Sequence, residues 1–322
     1  MELIRDLDAV PPPLKGGVLS VGVFDGVHLG HRKVLGRAVE RARGLGAAPV
    51  VFTFHPHPLE ALRPAQAPPL IQTFGQKLEL MREMGVAAVV WPRDTRGVLA
   101  MAPEAFVAEV VGRALAARVM VEGSDFRFGA GAAGDRALLV RLARSVGFEV
   151  EFVGDVEVDG ERVSSTRVRR LIAEGRAAEA ARCLGRPYSY VGMVVEGEHR
   201  GGRLGYPTVN VDAPRFLVPG EGVYAGWVTV RGRRHRAAVS VGRKPTFEEG
   251  RPVIVEAFLL DFGGELYGEQ VVLDFVEYLR PQKAFAGEEE LKAQMAADCD
   301  RVRAVPDYAP GTAQGAPGKP GG

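Results

Sequence analysis

Two histidines three residues apart stand in the run Phe24-Asp25-Gly26-Val27-His28-Leu29-Gly30-His31. A short apolar stretch, Val18 to Val23, precedes it, and Val34, Leu35, Ala38 and Val39 then recur at helical spacing. The histidines therefore sit where a strand turns into a helix. A helix N-terminus carries free backbone N–H groups and partial positive charge, so it binds phosphate readily. Gly30 lets a ligand approach the backbone, and both imidazoles can donate to one polyphosphate. The chemistry that suits this pattern is nucleotidyl transfer, where charge builds on the α-phosphate and the departing pyrophosphate. An attacking phosphate is already ionised near neutral pH, so no strong general base is required. A purely structural pair of histidines is the alternative, and the strand-turn-helix context with His-x-Gly-His spacing weighs against it.

Three further elements of the first half have chemical potential. Ser164-Ser165-Thr166-Arg167-Val168-Arg169 sets three hydroxyls and two arginines at a helix start, where they can bind phosphate or simply cap the helix. Gly123-Ser124-Asp125-Phe126-Arg127-Phe128-Gly129, with Gly131 and Gly134 behind it, places aromatics in a glycine-rich loop. They can grip a flat ring or pack the loop down. Phe54-His55-Pro56-His57-Pro58 follows a strand end, and its two prolines make the spacing poor for metal. It reads as a substrate-shaping loop or an incidental turn.

The second half carries Gly201-Gly202-Arg203-Leu204-Gly205-Tyr206-Pro207-Thr208-Val209-Asn210, which lacks the P-loop pattern. Thr208 and Asn210, two apart on a strand, face one side and can present two oxygens to Mg²⁺ and phosphate. Transfer to an alcohol needs help with the hydroxyl proton, which a positioned carboxylate can give. Glu256 lies inside the apolar strand Val253 to Leu260, where an acid is out of place unless it works, pairs or faces solvent.

The elements that must position these residues change character midway. Pro49 to Phe54, Val86 to Trp91, Arg118 to Glu122 and Phe148 to Val153 read as strands. Gln76 to Met84, ended by Gly85, and Pro103 to Ala117 read as helices between them. Alternation of this kind implies an α/β fold, a parallel sheet with helices on both faces and ligands beyond the strands' carboxyl ends. From Tyr190 the pattern is strand after strand: Tyr190 to Val195, Val223 to Val230, His235 to Val241, Pro252 to Phe262 and Gln270 to Val276. That succession implies a small antiparallel barrel or sandwich. Glu288 to Val305 reads as one helix, and Pro306 to Gly322, rich in Pro and Gly, as a disordered tail.

At 322 residues the chain accommodates two domains, and its net charge of +1 gives no global field for nucleic acid. Cys183 and Cys299 are the two cysteines, without zinc or disulfide spacing. No signal peptide or membrane span is apparent. A cytoplasmic protein without nucleic-acid or membrane partners is expected, and a homo-oligomer is compatible with the sequence.

In order along the chain, FDGVHLGH, TFHPHP, EGSDFRFG, SSTRVR and LGRPY resemble motifs of the prokaryotic bifunctional riboflavin kinase/FMN adenylyltransferase family. The resemblance runs from about Gly22 to about Asp300. It implies a Rossmann-like nucleotidyltransferase domain over 1–185, a small antiparallel β-barrel riboflavin kinase domain with a C-terminal helix over 186–305, and a tail over 306–322. It implies ATP, riboflavin, FMN and FAD as substrates and products, with Mg²⁺. It further implies that His28 and His31 act in adenylylation, with Asp25, Gly30, Ser164, Ser165, Thr166 and Arg169 binding nucleotide. Asp125, Phe126 and Phe128 would lie near flavin. In the kinase half, Gly205 and Pro207 would bind nucleotide, Thr208 and Asn210 metal, Arg280 flavin, and Glu256 would be the base. Tyr206, Val209, Ser240, Phe258 and Gln282 depart from the family pattern, where Phe, Ala, Asn, His and Glu are usual. Other readings are an adenylyltransferase with a degenerate kinase half, a non-catalytic flavin sensor, and an aminoacyl-tRNA synthetase-like protein. The last is disfavoured because no KMSKS-like loop is present.

Overall fold

Unbroken apolar strands need cover on both faces, and the first half supplies it. The computed structural model describes residues 1–196, 208–213, 215–243 and 253–307. The predicted tail beyond 307, and the Gly205 and Pro207 positions, lie outside the described residues. The chain forms two compact units, one of Met1–Pro68 with Phe74–Val163, the other of Pro69–Thr73 with the chain from Ser164 onward.

The first unit runs β1 (Glu2–Ile4), β2 (Val18–Val21), α1 (Leu29–Leu45), β3 (Pro49–Phe52), α2 (Pro58–Leu62), α3 (Phe74–Glu83), β4 (Ala88–Val90), α4 (Thr95–Ala100), α5 (Pro103–Ala105), β5 (Val119–Gly123), α6 (Arg136–Val146) and β6 (Glu149–Val153). A π-helical stretch, Phe106–Ala114, continues α5, so the single helix expected from Pro103 winds in two ways. The six strands form one sheet in the order β1-β4-β3-β2-β5-β6, and every pairing is parallel. On β3, Val50 and Phe52 join the core beneath Phe106, Val107 and Leu139, while Val51 joins the opposite core with Leu35, Leu80 and Met81. That two-residue alternation buries both faces of the strand. From β2 the chain moves outward through β3 and β4, then returns to the other side of β2 for β5 and β6. The switch point therefore lies between β2 and β5, where ligands bind beyond the strand ends in sheets of this kind. A short hairpin, β7 (Glu157–Val158) with β8 (Glu161–Arg162), closes the unit.

The second unit begins with α7 (Ser165–Ala173) and α8 (Ala177–Leu184). It continues through β9 (Tyr188–Val195), β10 (Thr208–Asp212), β11 (Gly222–Val230), β12 (Arg233–Gly242), β13 (Ile254–Leu259) and β14 (Gln270–Arg280). These six strands close a barrel in the order β10-β13-β12-β11-β14-β9, entirely antiparallel. Val255, Ala257 and Leu259 point inward with Ala237, Val239 and Val241, all buried. The C-terminal helix, Glu288–Ala304, packs Cys299 and Val302 on the outer wall against Val223, Leu260 and Leu279. Arg236 on β12 ties down its end by donating to the Val302 carbonyl at 3.2 Å and to that of Val305.

Glu122 is the misfit of the first core: it is 2% exposed and accepts the Val21 N–H at 2.7 Å. Burial drives its carboxyl well above the usual range, and the Val21 bond only partly opposes this. A raised folded-state pKa means that its contribution is fully present below the unfolded value of 4.5 and is lost as pH rises toward the folded value. Glu122→Gln keeps the acceptor without the ionisation. Thermal unfolding should give a higher Tm for the variant at about pH 8, with the advantage closing as pH falls toward the ordinary carboxylate range.

Candidate functional site

Beyond the end of β2 the chain makes a turn that few sequences tolerate. Phe24 has φ 51° and Val27 φ 37°, both left-handed, and Gly26 has φ 88°. Such backbone is uncommon for Phe and an outlier for a β-branched residue. Val27 and Phe24 are nearly fully buried, which anchors the turn. His28 follows as the N-cap of α1, its Nδ1 accepting the His31 N–H at 3.3 Å. An Nδ1 that accepts cannot carry the proton, so the neutral ring holds it on Nε2. The two imidazoles stack with centroids 3.6 Å apart, and the edge of Phe24 meets His31. Burial, His28 and Lys77 together hold His31 well below the usual imidazole range, so it is neutral at physiological pH. A Cβ on Gly30 would come within 3.1 Å of the His28 ring, so this glycine also makes room for the stacked pair.

A cleft of about 560 Å³ lies in the same unit, lined by Val21, Gly22 and Val23 of this turn and by Phe54, Phe126 and Phe128 among others. Its size falls within the roughly 300–1,000 Å³ typical of small-molecule sites. Phe126 and Phe128 stack at 5.6 Å. Phe128 is also packed down: Gly134 leaves space for its ring, and the two residues exchange backbone hydrogen bonds. The alternatives of gripping a ring and packing the loop thus combine, with Phe128 buried and Phe126 half-buried above it. Asp125 does not line this cleft; it is exposed and paired with Arg162. In the Phe54–Pro58 loop, His55 stacks on Phe74 at 4.3 Å, and His57 caps α2.

In the second unit Ser164 caps α7, its Oγ accepting the Arg167 N–H at 3.2 Å. Ser165 and Thr166 follow in the first turn, and Arg169 donates through Nε to the Pro69 carbonyl at 3.0 Å. The barrel presents a compact outer patch. Thr208, Phe258 and Ala238 form one cross-strand row, and Asn210, Glu256 and Ser240 form the next. Thr208 and Asn210 thus share a face, as their spacing predicts, and Glu256 lies directly beside Asn210. A cavity of about 230 Å³ between this patch and the C-terminal helix is lined by Thr208, Ser240, Glu256, Arg280, Gln282 and Cys299 among others.

Arg280 is anchored at its rim. Nε lies 3.1 Å from both Asp298 oxygens and Nη2 2.7 Å from Oδ2, a fork grip on a carboxylate that is 4% exposed. Two positions where the sequence departs from the resembled family touch each other. Gln282 Nε2 donates to Ser240 Oγ and to the Val241 carbonyl, each at 2.9 Å, and reaches the Gly222 carbonyl at 3.3 Å. Gly242 admits it, since a Cβ there would meet Nε2 at 2.9 Å.

Thr208 and Asn210 offer neutral, hard oxygens with one carboxylate alongside. That set suits Mg²⁺, which keeps most of its waters and takes substrate phosphates as partners. Sequence reasoning passed over Lys77, which is buried under the β2–α1 turn and donates 2.7 Å to the Val23 carbonyl. The signal was present: Lys77 shares a helical face with Leu80, Met81 and Met84, where a charge is out of place. The Asp298 partner of Arg280 carried no such signal.

Comparison with known proteins bears on both units. A family model described as FAD synthetase matches residues 11–167, and one described as riboflavin kinase matches residues 184–305. The chain is 35% identical over 300 residues to the bifunctional riboflavin kinase/FMN adenylyltransferase of Escherichia coli K12, covering 92% of this chain and 96% of that one. It is likewise 35% identical over 305 residues to the protein of the same description from Pseudomonas fluorescens, covering 95% and 98%. A solved structure from Streptococcus pneumoniae, described as a macrolide-efflux protein, superposes with a TM-score of 0.84 at 29% identity, covering 94% of this chain and 99% of that one. Among the described residues no helix is long and apolar enough to cross a membrane. The chain belongs to the bifunctional riboflavin kinase/FMN adenylyltransferase family.

Gln282→Glu would turn a donor facing two carbonyls into an acceptor. Gln282 is itself exposed, so the loss should destabilise the barrel by about 0.5–1.5 kcal/mol, the net worth of an ordinary hydrogen bond. Urea unfolding measures this, and Gln282→Glu should cost more than Ser240→Ala, which removes only one of the three contacts.

Proposed function

We propose, from membership of this family, that the chain phosphorylates riboflavin to FMN and adenylylates FMN to FAD with ATP, residues 1–185 serving adenylylation and 186–305 phosphorylation. The observation that carries this reading is that each unit holds its own site: a phosphate-suited turn beside an aromatic cleft in one, and Glu256 beside Asn210 over a cavity in the other.

In phosphorylation Glu256 takes the proton of the terminal ribityl hydroxyl as its oxygen bonds to the γ-phosphorus of ATP and the bond to ADP breaks. Thr208 and Asn210 would hold Mg²⁺ on the nucleotide, and the ion would supply neutralisation of phosphate charge. Gly205 and Pro207 are further nucleotide contacts in this assignment. Arg280, held by Asp298, presents a rigid wall to the flavin rather than a mobile charge.

In adenylylation a phosphate oxygen of FMN attacks the α-phosphorus of ATP, and pyrophosphate leaves. His28 donates through Nε2–H to the nucleotide phosphates, and the amides at the start of α1 add to it. His31, neutral and stacked on His28, fixes that ring. Asp25 and Gly30 shape the turn around the nucleotide. Ser164, Ser165, Thr166 and Arg169 are assigned as further nucleotide ligands. The flavin ring stacks against Phe126 over Phe128, and Asp125 with Arg162 borders the loop that carries them. With ATP and flavin as substrates, the cytoplasm is the fitting compartment.

Glu256→Ala should lower FMN formation by about 100-fold or more, the scale of a general base, while FMN-to-FAD conversion persists. His28→Ala combined with His31→Ala should do the reverse. Chromatographic assay of both reactions on each protein tests this, and loss of both activities in either folded variant would contradict separate sites.

A further inference from the structure

The buried ammonium of Lys77 has no part in the chemistry described so far. Lys77 is 6% exposed and its Nζ sits 2.7 Å from the carbonyl oxygen of Val23, the residue that enters the β2–α1 turn. Thr53 Oγ1 donates to the same oxygen at 3.2 Å. Both lone pairs of that carbonyl are engaged, so the turn starts from a fixed point. It needs one: Phe24 and Val27 follow with φ 51° and 37°, left-handed backbone that residues other than glycine adopt only under strain. Strain of this kind persists only where the surroundings over-determine it.

Charge gives Lys77 a second task. His28 uses Nδ1 to cap α1, and His31 is neutral, so the His31 ring offers an N–H but no charge. A departing pyrophosphate needs more than that. Lys77 lies close enough to Asp25, His31 and His55 to act on each electrostatically. Burial pushes its ammonium down to about 8, with Asp25 opposing the shift, which leaves it charged at neutral pH. The ring of Phe74 lies 5.7 Å from Nζ and adds a favourable face. Burying an ammonium is costly unless it is paired and hydrogen-bonded, and here it is placed under the one turn that must receive phosphate.

We propose that Lys77 is a positioning residue for adenylyl transfer: its bond to the Val23 carbonyl holds the strained β2–α1 turn, and its ammonium brings a positive charge up beneath that turn. This rests on the reading of residues 1–185 as the adenylyltransferase.

The test uses the full-length protein and both assays, riboflavin to FMN and FMN to FAD, so that the first is an internal control for folding. Lys77→Met should lower kcat/KM for ATP in FAD formation about 10- to 100-fold, the loss expected for a charged buried hydrogen bond, with FMN formation within about twofold of the parent. Thr53→Val, which leaves the ammonium in place, should lose only a few-fold. Lys77→Gln keeps a donor without the charge and carries the test if Lys77→Met does not fold. It should fall between the other two. FAD formation within about twofold of the parent in the folded methionine or glutamine variant would overturn the proposal, as would equal loss of both activities. A parent protein that makes FMN but no FAD would overturn the adenylyltransferase reading itself, and the role of Lys77 with it.

Discussion

The turn between β2 and α1 must hold two non-glycine residues in left-handed backbone and still leave the start of a 17-residue helix open to an anion. Much of the first unit is arranged around that demand. β2 is central in the sheet, and its last residue, Val21, pairs with Phe52 of β3 and donates to the Glu122 side chain of β5. Thr53, just past β3, and Lys77 on α3 converge on the Val23 carbonyl. Phe24 and Val27 bury their side chains in the core shared with Leu35 and Met81, so leaving the left-handed conformation would pull both out of it. The hydrophobic core and two polar anchors together hold the turn. Reversal of strand order between β2 and β5 then puts the aromatic loop after β5 beside the end of β2. An aromatic cleft and the β2–α1 turn come together as a consequence of topology.

The barrel meets a different requirement. Its sheet closes on itself, and a cavity lies outside the wall, between β10, β12, β13 and the C-terminal helix. The inward residues of these strands are small or branched and buried, and the outward ones carry the oxygens. Polar contacts frame that patch: the Arg280–Asp298 fork ties β14 to the helix, Arg236 holds the helix end, and Gln282 bridges β11 and β12. A fork between a guanidinium and a carboxylate in a dry setting fixes direction as well as distance. The departures at Ser240 and Gln282 therefore read as one change rather than two, because the residues share a hydrogen bond.

Long-period features were legible in the sequence. Apolar runs such as Pro49–Phe52 gave strands covered on both faces, and the His-x-Gly-His turn announced itself by lying between such a run and a helical pattern. The shared face of Thr208 and Asn210 follows from spacing alone. Three-residue β1 escaped because pairing with β4, not local pattern, makes it a strand. The winding of Phe106–Ala114 is equally invisible, since π and α turns bury similar faces. Partners distant in sequence were the larger gap. Asp125 and Arg162 are 37 residues apart and Lys77 and Val23 are 54 apart, so neither contact has a local signature. Ser164 shows the opposite limit: its capping role is obvious from sequence, and capping alone says nothing about nucleotide.

One chain carries two separable ATP-dependent reactions on flavin, in succession. The most direct measurement is a chromatographic time course of the full-length protein with riboflavin, excess ATP and Mg²⁺. FMN should rise first and FAD follow at its expense. FAD formed from added FMN while riboflavin stays untouched would contradict the phosphorylation site at Glu256, and no product from either flavin would contradict the account as a whole.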